Sequence, residues 1–292
     1  MTRRSIIHTG LAAAAAAAAA ATGSTTARAA ISAHRIEGQG EPVLLIAGYS
    51  CDLSVWDVVS PLIVAKGFRV IRFNNLGVGS NARFSSSDIT IRSMAQQAAE
   101  LLSALRLPAA HIVGHSMGGQ IAQELAFAAP ERVGSLTLLS TWASPSRRLI
   151  ALLTEMSTLA DKISPEAWQR SFLPWVLTDA AYATPGLIDQ IVQANVANLD
   201  RLSAALLQAQ AAAIGASDTS SRLSELKRPT LVAVGEQDVL TPPGYSQAVT
   251  RAIDGSEFAL LPGGHGLIAE AAPQLADRLA AFHREHSIPQ HG

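Results

Sequence analysis

The chain of 292 residues carries a net charge of -1, and only 15% of its residues are charged. This length suits one large domain or two ordinary ones. The weak, balanced charge provides no basic stripe for nucleic acid and no polybasic patch for anionic lipid, so a nucleic-acid partner is excluded. The single cysteine, Cys51, excludes an intrachain disulfide.

The start of the chain, residues 1–29, has the pattern of an export signal. Arg3-Arg4 precede an alanine-rich apolar stretch at 11–21, and Ala27-Arg28-Ala29 places small residues where a signal peptidase needs them. The apolar stretch is too short to span a bilayer comfortably. Ser5-Ile6-Ile7 resembles the twin-arginine consensus, although Arg-Arg also occurs in Sec signals. We expect twin-arginine export to the periplasm or medium, without stable membrane anchoring of the mature protein.

Strand-like and helix-like segments alternate through the remaining domain, residues 30–292. Short apolar runs predict strands at 43–47, 69–73, 110–113, 136–139, 230–234 and 258–261. Helical spacing of apolar residues predicts helices at 56–65, 94–105, 121–129 and 274–282. His283 and His286 follow the last helix and are expected in a solvated tail. This alternation predicts an α/β fold with a mostly parallel central sheet flanked by helices.

The alternation is interrupted in one long region at about 145–226. This region has helical character throughout, includes Trp168 and Trp175, and contains no convincing strand. We therefore expect a helical cap inserted between two strands of the domain.

The segment Gly114-His115-Ser116-Met117-Gly118-Gly119 lies between a predicted strand and a predicted helix. A sharp reversal there requires residues almost without side chains at Gly114 and Gly118, so that strand and helix can approach. A serine at such a turn exposes its hydroxyl, and the next backbone N–H points at the atom that the hydroxyl attacks. Ser116 is therefore a candidate nucleophile, and the Met117 N–H is a candidate oxyanion donor.

A serine hydroxyl needs a neighbouring base, and the base needs an orienting carboxylate. Asp238 follows the predicted strand at 230–234, and His265 follows the one at 258–261. The chain order of nucleophile, acid and histidine is the order expected for this architecture. The spacing of 27 residues between Asp238 and His265 leaves room for one helix and one strand.

These motifs resemble those of the α/β-hydrolase fold superfamily, of the capped single-domain serine esterase type. The resemblance extends from about Ser32 to Phe282 and depends on the serine segment, Gly235-Glu236-Gln237-Asp238 and Pro262-Gly263-Gly264-His265-Gly266. It assigns the acid to Asp238 and not to Glu236, which precedes the family's position.

The resemblance also implies a second oxyanion donor after the strand at 43–47. Many relatives have His-Gly there, whereas this chain has Ala47-Gly48-Tyr49, so the carried-over donor is the Tyr49 N–H. Replacement of the histidine by Ala47 leaves this donor intact but changes the hydrogen bonding of the loop. Relatives also commonly carry Asp in place of Asn74 and Arg in place of Leu76. These residues usually orient loops, so we expect no loss of catalysis.

The resemblance implies hydrolysis of a carboxylic ester of a small to medium, largely apolar substrate through an acyl-enzyme, without cofactor or metal. The resemblance leaves other reactions open for the same three residues. These are hydrolysis of a lactone or enol-lactone, of a thioester or of a C–C bond, and cofactor-free perhydrolysis. A non-catalytic ligand-binding protein on a hydrolase shell is the alternative from another class.

The export assignment predicts the effect of changing the arginine pair. Arg3→Lys with Arg4→Lys should retain the unprocessed protein in the cytoplasm, because the twin-arginine pathway reads the pair itself. Cell fractionation with mass measurement of the amino terminus checks this result. Unchanged export and processing of the double variant would favour the Sec route.

Overall fold

A computed structural model describes residues 33–79, 85–197 and 203–288, so the predicted export signal lies outside the described residues. The described part contains one seven-stranded sheet with the order β1-β3-β2-β4-β5-β6-β7. The strands are β1 (His34–Glu37), β2 (Pro42–Ile46), β3 (Arg69–Phe73), β4 (Ala110–His115), β5 (Val133–Leu139), β6 (Thr230–Gly235) and β7 (Glu257–Leu261). Only the pairing of β1 with β3 is antiparallel, which confirms the predicted, mostly parallel sheet.

Helices connect the parallel strands. They are α1 (Ser60–Ala65), α2 (Ile91–Ala104), α3 (Met117–Ala128), α4 (Arg147–Leu159), α5 (Pro165–Phe172), α6 (Asp179–Ala183), α7 (Leu187–Val196), α8 (Ala204–Gly215), α9 (Pro243–Ala252), α10 (Leu267–Glu270) and α11 (Ala272–Glu285). Within the described ranges, no helix has both the length and the apolar character needed to cross a membrane.

Two elements differ from the sequence expectations. β1 was not predicted, because a polar edge strand with largely exposed side chains lacks the apolar run used to find the others. The helix predicted at 56–65 is divided into a 3-10 turn at Leu53–Trp56 and α1. Pro61 lies in the first turn of α1, where its missing N–H costs no hydrogen bond. The preference of proline for the first turn of a helix explains why α1 starts at Ser60.

Helices cover both faces of the sheet. Alternate residues of β2 divide between two buried clusters: Leu44 and Ile46 join one, and Val43 and Leu45 join the other. Because both faces are covered, the central strands are continuous apolar runs and do not alternate with polar residues. α2 and α3 lie on the first face, and α1 and α11 lie on the second.

Among the residues that the structure describes, five helices, α4 to α8, lie between β5 and β6, and we call them the cap. Their apolar residues join the same buried cluster as the first face of the sheet; these include Leu149, Leu153, Met156, Trp168, Phe172, Leu206 and Leu207. Trp168 Nε1 donates a hydrogen bond to the Met156 carbonyl at 2.7 Å, which links α5 to α4. The cap therefore packs against the domain through apolar burial.

At the amino ends of the parallel strands, two histidine side chains are stacked in the interior. The rings of His111 and His283 lie 4.2 Å apart, and both residues are fully buried. The expected solvated position of His283 was wrong, because α11 continues to Glu285 and turns this residue inward. Ser135 Oγ lies 2.8 Å from His111 Nδ1 and 3.2 Å from His283 Nδ1.

Neutral imidazole rings account for these hydrogen bonds. Glu41 accepts the His111 Nε2–H at 2.9 Å, so His111 Nδ1 accepts from the Ser135 hydroxyl and His283 Nδ1–H donates to it. Burial lowers the pKa of His283 well below 6.5, and the nearby His111 and His286 lower it further. Burial also lowers the pKa of His111, although Glu41 partly opposes this. Protonation of either ring is therefore coupled to unfolding.

We expect the free energy of unfolding to fall as the pH drops below about 6.5, because the unfolded chain binds protons that the folded chain excludes. Each such histidine contributes a slope of up to about 1.4 kcal/mol per pH unit. His283→Phe keeps a buried aromatic ring but removes one titrating group, so it should reduce the slope. Urea unfolding measured between pH 7 and pH 5 checks this. An identical slope in both proteins would contradict the assignment.

Candidate active site

Ser116 occupies a tight turn between β4 and α3. Its backbone has a positive φ, with φ 58° and ψ -121°, a sparsely populated conformation that costs a non-glycine residue about 1–3 kcal/mol. A Cβ on Gly118 would lie 2.1 Å from the Ile46 carbonyl oxygen, and one on Gly114 would lie 2.2 Å from the Gly118 carbonyl oxygen. The glycines therefore allow α3 to approach both its own strand and the neighbouring β2.

The structure places Ser116, His265 and Asp238 in one hydrogen-bonded chain. Ser116 Oγ lies 2.9 Å from His265 Nε2, and His265 Nδ1 lies 2.9 Å from Asp238 Oδ2. All three residues are buried and follow the carboxyl ends of β4, β7 and β6. With Asp238 ionised, His265 Nδ1–H donates to the carboxylate, and Nε2 accepts the serine proton. This geometry suits proton transfer from Ser116 to His265.

Thr241 holds the carboxylate of Asp238 and was not identified from the sequence. Its N–H donates to Asp238 Oδ1 at 2.7 Å, and its hydroxyl lies 2.9 Å from Oδ2. Burial opposes the charged form of Asp238, but the charge of His265 and the bonds from His265 and Thr241 outweigh it and lower the pKa of the carboxyl. A threonine three residues after a predicted acid is the signal that could have revealed it.

Glu236 and His115 are also titratable and lie near the site, but neither belongs to the hydrogen-bonded chain of Ser116, His265 and Asp238. Glu236 is exposed, whereas Asp238 is buried against the histidine. His115 is buried beside His265, and its Nε2–H donates to the His265 carbonyl at 2.8 Å. Burial and the neighbouring His265 lower the pKa of His115 to about 3, so its ring stays neutral. His115 therefore supports the backbone of His265 and does not act as a second base.

The two predicted oxyanion donors lie on two segments that adjoin Ser116. Met117 is the first residue of α3, where an N–H has no partner within the helix. Tyr49 follows Gly48, and a Cβ on Gly48 would lie 3.1 Å from Ser116 Cβ. The loop that carries Tyr49, which we call the oxyanion loop (residues 47–53), is therefore packed directly against the nucleophile turn.

Amide side chains from the end of β3 hold the oxyanion loop. Asn75 Nδ2 donates to the Ala47 carbonyl at 2.9 Å, and Asn74 Oδ1 accepts the Leu53 N–H at 2.8 Å. Asp52 Oδ1 accepts the Ser54 N–H at 2.8 Å and caps the 3-10 turn that ends the loop. The sequence comparison with relatives singled out Asn74 as a loop-orienting position, and Asn75 had no predicted role.

The cap also contacts the loops that carry the acid and the histidine. Arg148 Nη2 donates to the Val239 carbonyl at 2.8 Å, next to Asp238. The Gly266 N–H, next to His265, donates to the Val176 carbonyl at 2.8 Å. These contacts connect α4 and the α5–α6 segment to the edge of the sheet that carries the site.

A carboxylate joins the histidine loop to the cap a second time. Glu270 accepts the Thr178 N–H at 3.0 Å and the Thr178 hydroxyl at 2.6 Å through Oε1. Its Oε2 accepts the Gly264 N–H at 2.9 Å. One half-buried side chain therefore bridges the cap and the segment just before His265.

The described residues contain one group with metal-ligand chemistry, formed by Glu257, Glu285 and His286, whose ligand atoms lie within 4.8 Å of one another. It lies at the amino end of β7, away from His265, and Glu257 is already paired with Arg278. The group is separate from the serine site.

The sequence profile of the alpha/beta hydrolase fold family matches residues 41–272. The chain belongs to this family. The match confirms the predicted α/β-hydrolase fold superfamily and agrees with the sheet order and the tight turn at Ser116.

Individual relatives differ in the reactions that their names state. A protein named carbamate hydrolase RutD from Variovorax paradoxus (strain S110) is 29% identical over 235 residues, which are 80% of this chain and 88% of that protein. A thermophilic esterase from Thermogutta terrifontis is 25% identical, with a TM-score of 0.77 over 88% of this chain and 94% of its own. An enol-lactonase from Burkholderia xenovorans LB400 is 24% identical, with a TM-score of 0.76 over 85% and 95%, and supports the fold alone.

Thr241→Val should weaken the support of Asp238 without removing the backbone N–H bond. We expect labelling of Ser116 by a fluorophosphonate to slow about tenfold and the free energy of unfolding to fall by about 1–3 kcal/mol, because a buried charged acceptor loses its hydroxyl donor. Timed labelling and urea unfolding measure the two effects.

Thr137→Val is the matched control, since the hydroxyl of this buried threonine in β5 has no hydrogen-bond partner in the part of the chain that the structure describes. Equal labelling rates in the two variants would contradict the role of Thr241.

Proposed function

We propose that the protein is a serine hydrolase that cleaves a carboxylic ester of a small to medium, largely apolar substrate through an acyl-enzyme. The observation that carries this proposal is the buried hydrogen-bonded chain from Ser116 Oγ through His265 to Asp238. Family membership supports hydrolysis, and the choice of a carboxylic ester as the substrate is our further proposal.

Acylation begins when Ser116 Oγ attacks the carbonyl carbon while His265 Nε2 takes the hydroxyl proton. The new C–O bond pushes an electron pair onto the carbonyl oxygen, and Asp238 stabilises the imidazolium that results. The N–H groups of Tyr49 and Met117 donate to the oxyanion. Collapse of the tetrahedral intermediate breaks the bond to the leaving alcohol, which takes the proton from His265.

Deacylation repeats these steps with water. His265 removes a proton from the water as its oxygen attacks the acyl carbon, and the same two N–H groups hold the oxyanion. The bond to Ser116 Oγ then breaks, and the serine recovers its proton from His265. The acid leaves, and both residues return to their starting protonation states.

Apolar burial in the cap and the esterase relative support an ester with a largely apolar acyl or alcohol part. Carbamate hydrolysis is the second candidate, favoured by the relatives named for that reaction at up to 29% identity. Hydrolysis of lactones, thioesters or C–C bonds, and perhydrolysis, would use the same three residues. We also propose that the reaction takes place outside the cytoplasm, which depends on the predicted export signal.

A fluorophosphonate probe separates an enzyme from a non-catalytic ligand-binding protein. We expect wild type to be labelled at Ser116 and Ser116→Ala to be folded but unlabelled and inactive. Ser246→Ala is the control, because this buried serine in α9 lies outside the site. Folded wild-type protein that never reacts with the probe would rule out the enzyme.

Asp238→Asn should lower kcat by about 10⁴-fold, because an amide that donates its N–H to His265 Nδ1 leaves the ring proton on Nε2, the wrong tautomer, and no longer stabilises the imidazolium. Hydrolysis of p-nitrophenyl esters of graded chain length measures the loss. The same panel with lactones, thioesters and an N-aryl carbamate ranks the substrate classes. A carbamate preferred over every ester in kcat/KM would replace the ester assignment by the second candidate.

A further inference from the structure

Gln210 of the cap reaches the oxyanion loop. This residue of α8 is fully buried, and its Oε1 accepts the Ser50 N–H at 3.0 Å across 160 positions of sequence. Ser50 directly follows Tyr49, the proposed oxyanion donor. The backbone of Ser50 lies in the left-handed region, with φ 60°, which a serine adopts at a cost. The hydrogen bond therefore supports a strained turn next to the proposed donor.

Other contacts place the cap against the same loop. The Tyr49 ring makes an edge-to-face contact with Phe172 of α5, with ring centres 6.1 Å apart. Leu206, one turn before Gln210, packs so closely on Gly77 that a Cβ there would lie 2.4 Å from Leu206 Cδ1. α8 is therefore held over the loops that follow β2 and β3.

The side-chain amide of Gln210 makes one hydrogen bond within the described residues, the one from the Ser50 N–H to Oε1. Its Nε2 is buried and has no hydrogen-bond partner in the described ranges of the chain. An unpaired buried donor carries a desolvation cost that an apolar side chain of the same shape avoids. The bond from Ser50 to Oε1 is the interaction that offsets this cost.

The position of Ser50 explains how this bond acts on the oxyanion hole. The Ser50 N–H belongs to the peptide that joins Tyr49 to Ser50, so its hydrogen bond fixes the orientation of that peptide plane. On the other side, Asn75 holds the Ala47 carbonyl. The Tyr49 N–H lies between these two anchors, and only the Gln210 anchor comes from the cap.

We propose that Gln210 is a positioning residue that aims the Tyr49 N–H at the substrate oxyanion, so that the oxyanion hole is complete only when the cap is docked. The inference rests on the proposed acyl-transfer function. Because the oxyanion forms after substrate binding, loss of this anchor reduces stabilisation of the transition state more than binding of the ester.

Three variants of the mature protein test the inference. Gln210→Met keeps the length of the side chain and removes the acceptor. Gln210→Glu restores an acceptor, because a buried carboxyl in its neutral form presents a carbonyl oxygen to Ser50. Gln169→Met is the matched control, since Gln169 is a buried cap residue whose Oε1 accepts from Asn195 within the cap.

We expect Gln210→Met to lower kcat for p-nitrophenyl butyrate by about 10-fold to 100-fold, less than the loss of an entire oxyanion donor, with KM changed less than about twofold. Gln210→Glu should recover most of kcat at pH 6, and Gln169→Met should match wild type. The affinity for phenylboronic acid, which forms a tetrahedral adduct with the serine, should fall in Gln210→Met by a factor similar to that in kcat/KM.

Wild-type kcat in Gln210→Met, or a loss confined to KM, would overturn the inference while leaving the hydrolase function in place. Equal losses in Gln210→Met and Gln210→Glu would also overturn it, because they indicate a packing role. Wild-type protein that hydrolyses no member of the ester, lactone, thioester and carbamate panel would remove the proposed function, and this inference with it.

Discussion

The close approach of α3 to β2 at the Ser116 turn is the constraint on which the rest of the site depends. Gly118 lies against the Ile46 carbonyl with no room for a side chain, and this contact keeps Ser116 in its strained conformation with a positive φ. The Ser116 N–H also donates to the Leu139 carbonyl at 2.8 Å, which ties the turn to β5. The serine is therefore fixed by three strands, and the backbone strain is maintained by the packing around it.

Loops from neighbouring strands surround this rigid turn, and side-chain hydrogen bonds hold them. Thr241 fixes the acid, His115 fixes the carbonyl of His265, and Asn75 fixes the oxyanion loop. The cap adds a contact to the loop of the acid, the loop of the histidine and the oxyanion loop. Since loops alone are the least stable parts of a fold, this second set of bonds gives the site the rigidity that preorganised donors require.

The two ends of the sheet use buried histidines differently. His265 lies between a carboxylate and a serine at the carboxyl ends of the strands, where Nε2 can take and return the serine proton while Asp238 holds the Nδ1–H. His111 and His283 form a neutral stack at the amino ends of the strands, where Ser135 and Glu41 bond to three of the four ring nitrogens and burial lowers the pKa of both rings. The hydrogen-bond partners of each ring, and not burial alone, decide which histidine is suited to proton transfer.

Local sequence patterns determined much of this protein: the parallel sheet, the glycines of the turn and the positions of Ser116, Asp238 and His265 at strand ends. Such features depend on periodicity and turn chemistry within short segments, which the sequence displays directly. Only the tertiary structure decided the partners of Thr241, Asn75 and Gln210 and the inward position of His283. Their roles depend on residues brought together by folding, as for Ser50 and Gln210 across 160 positions, and no local pattern encodes which amide meets which backbone group.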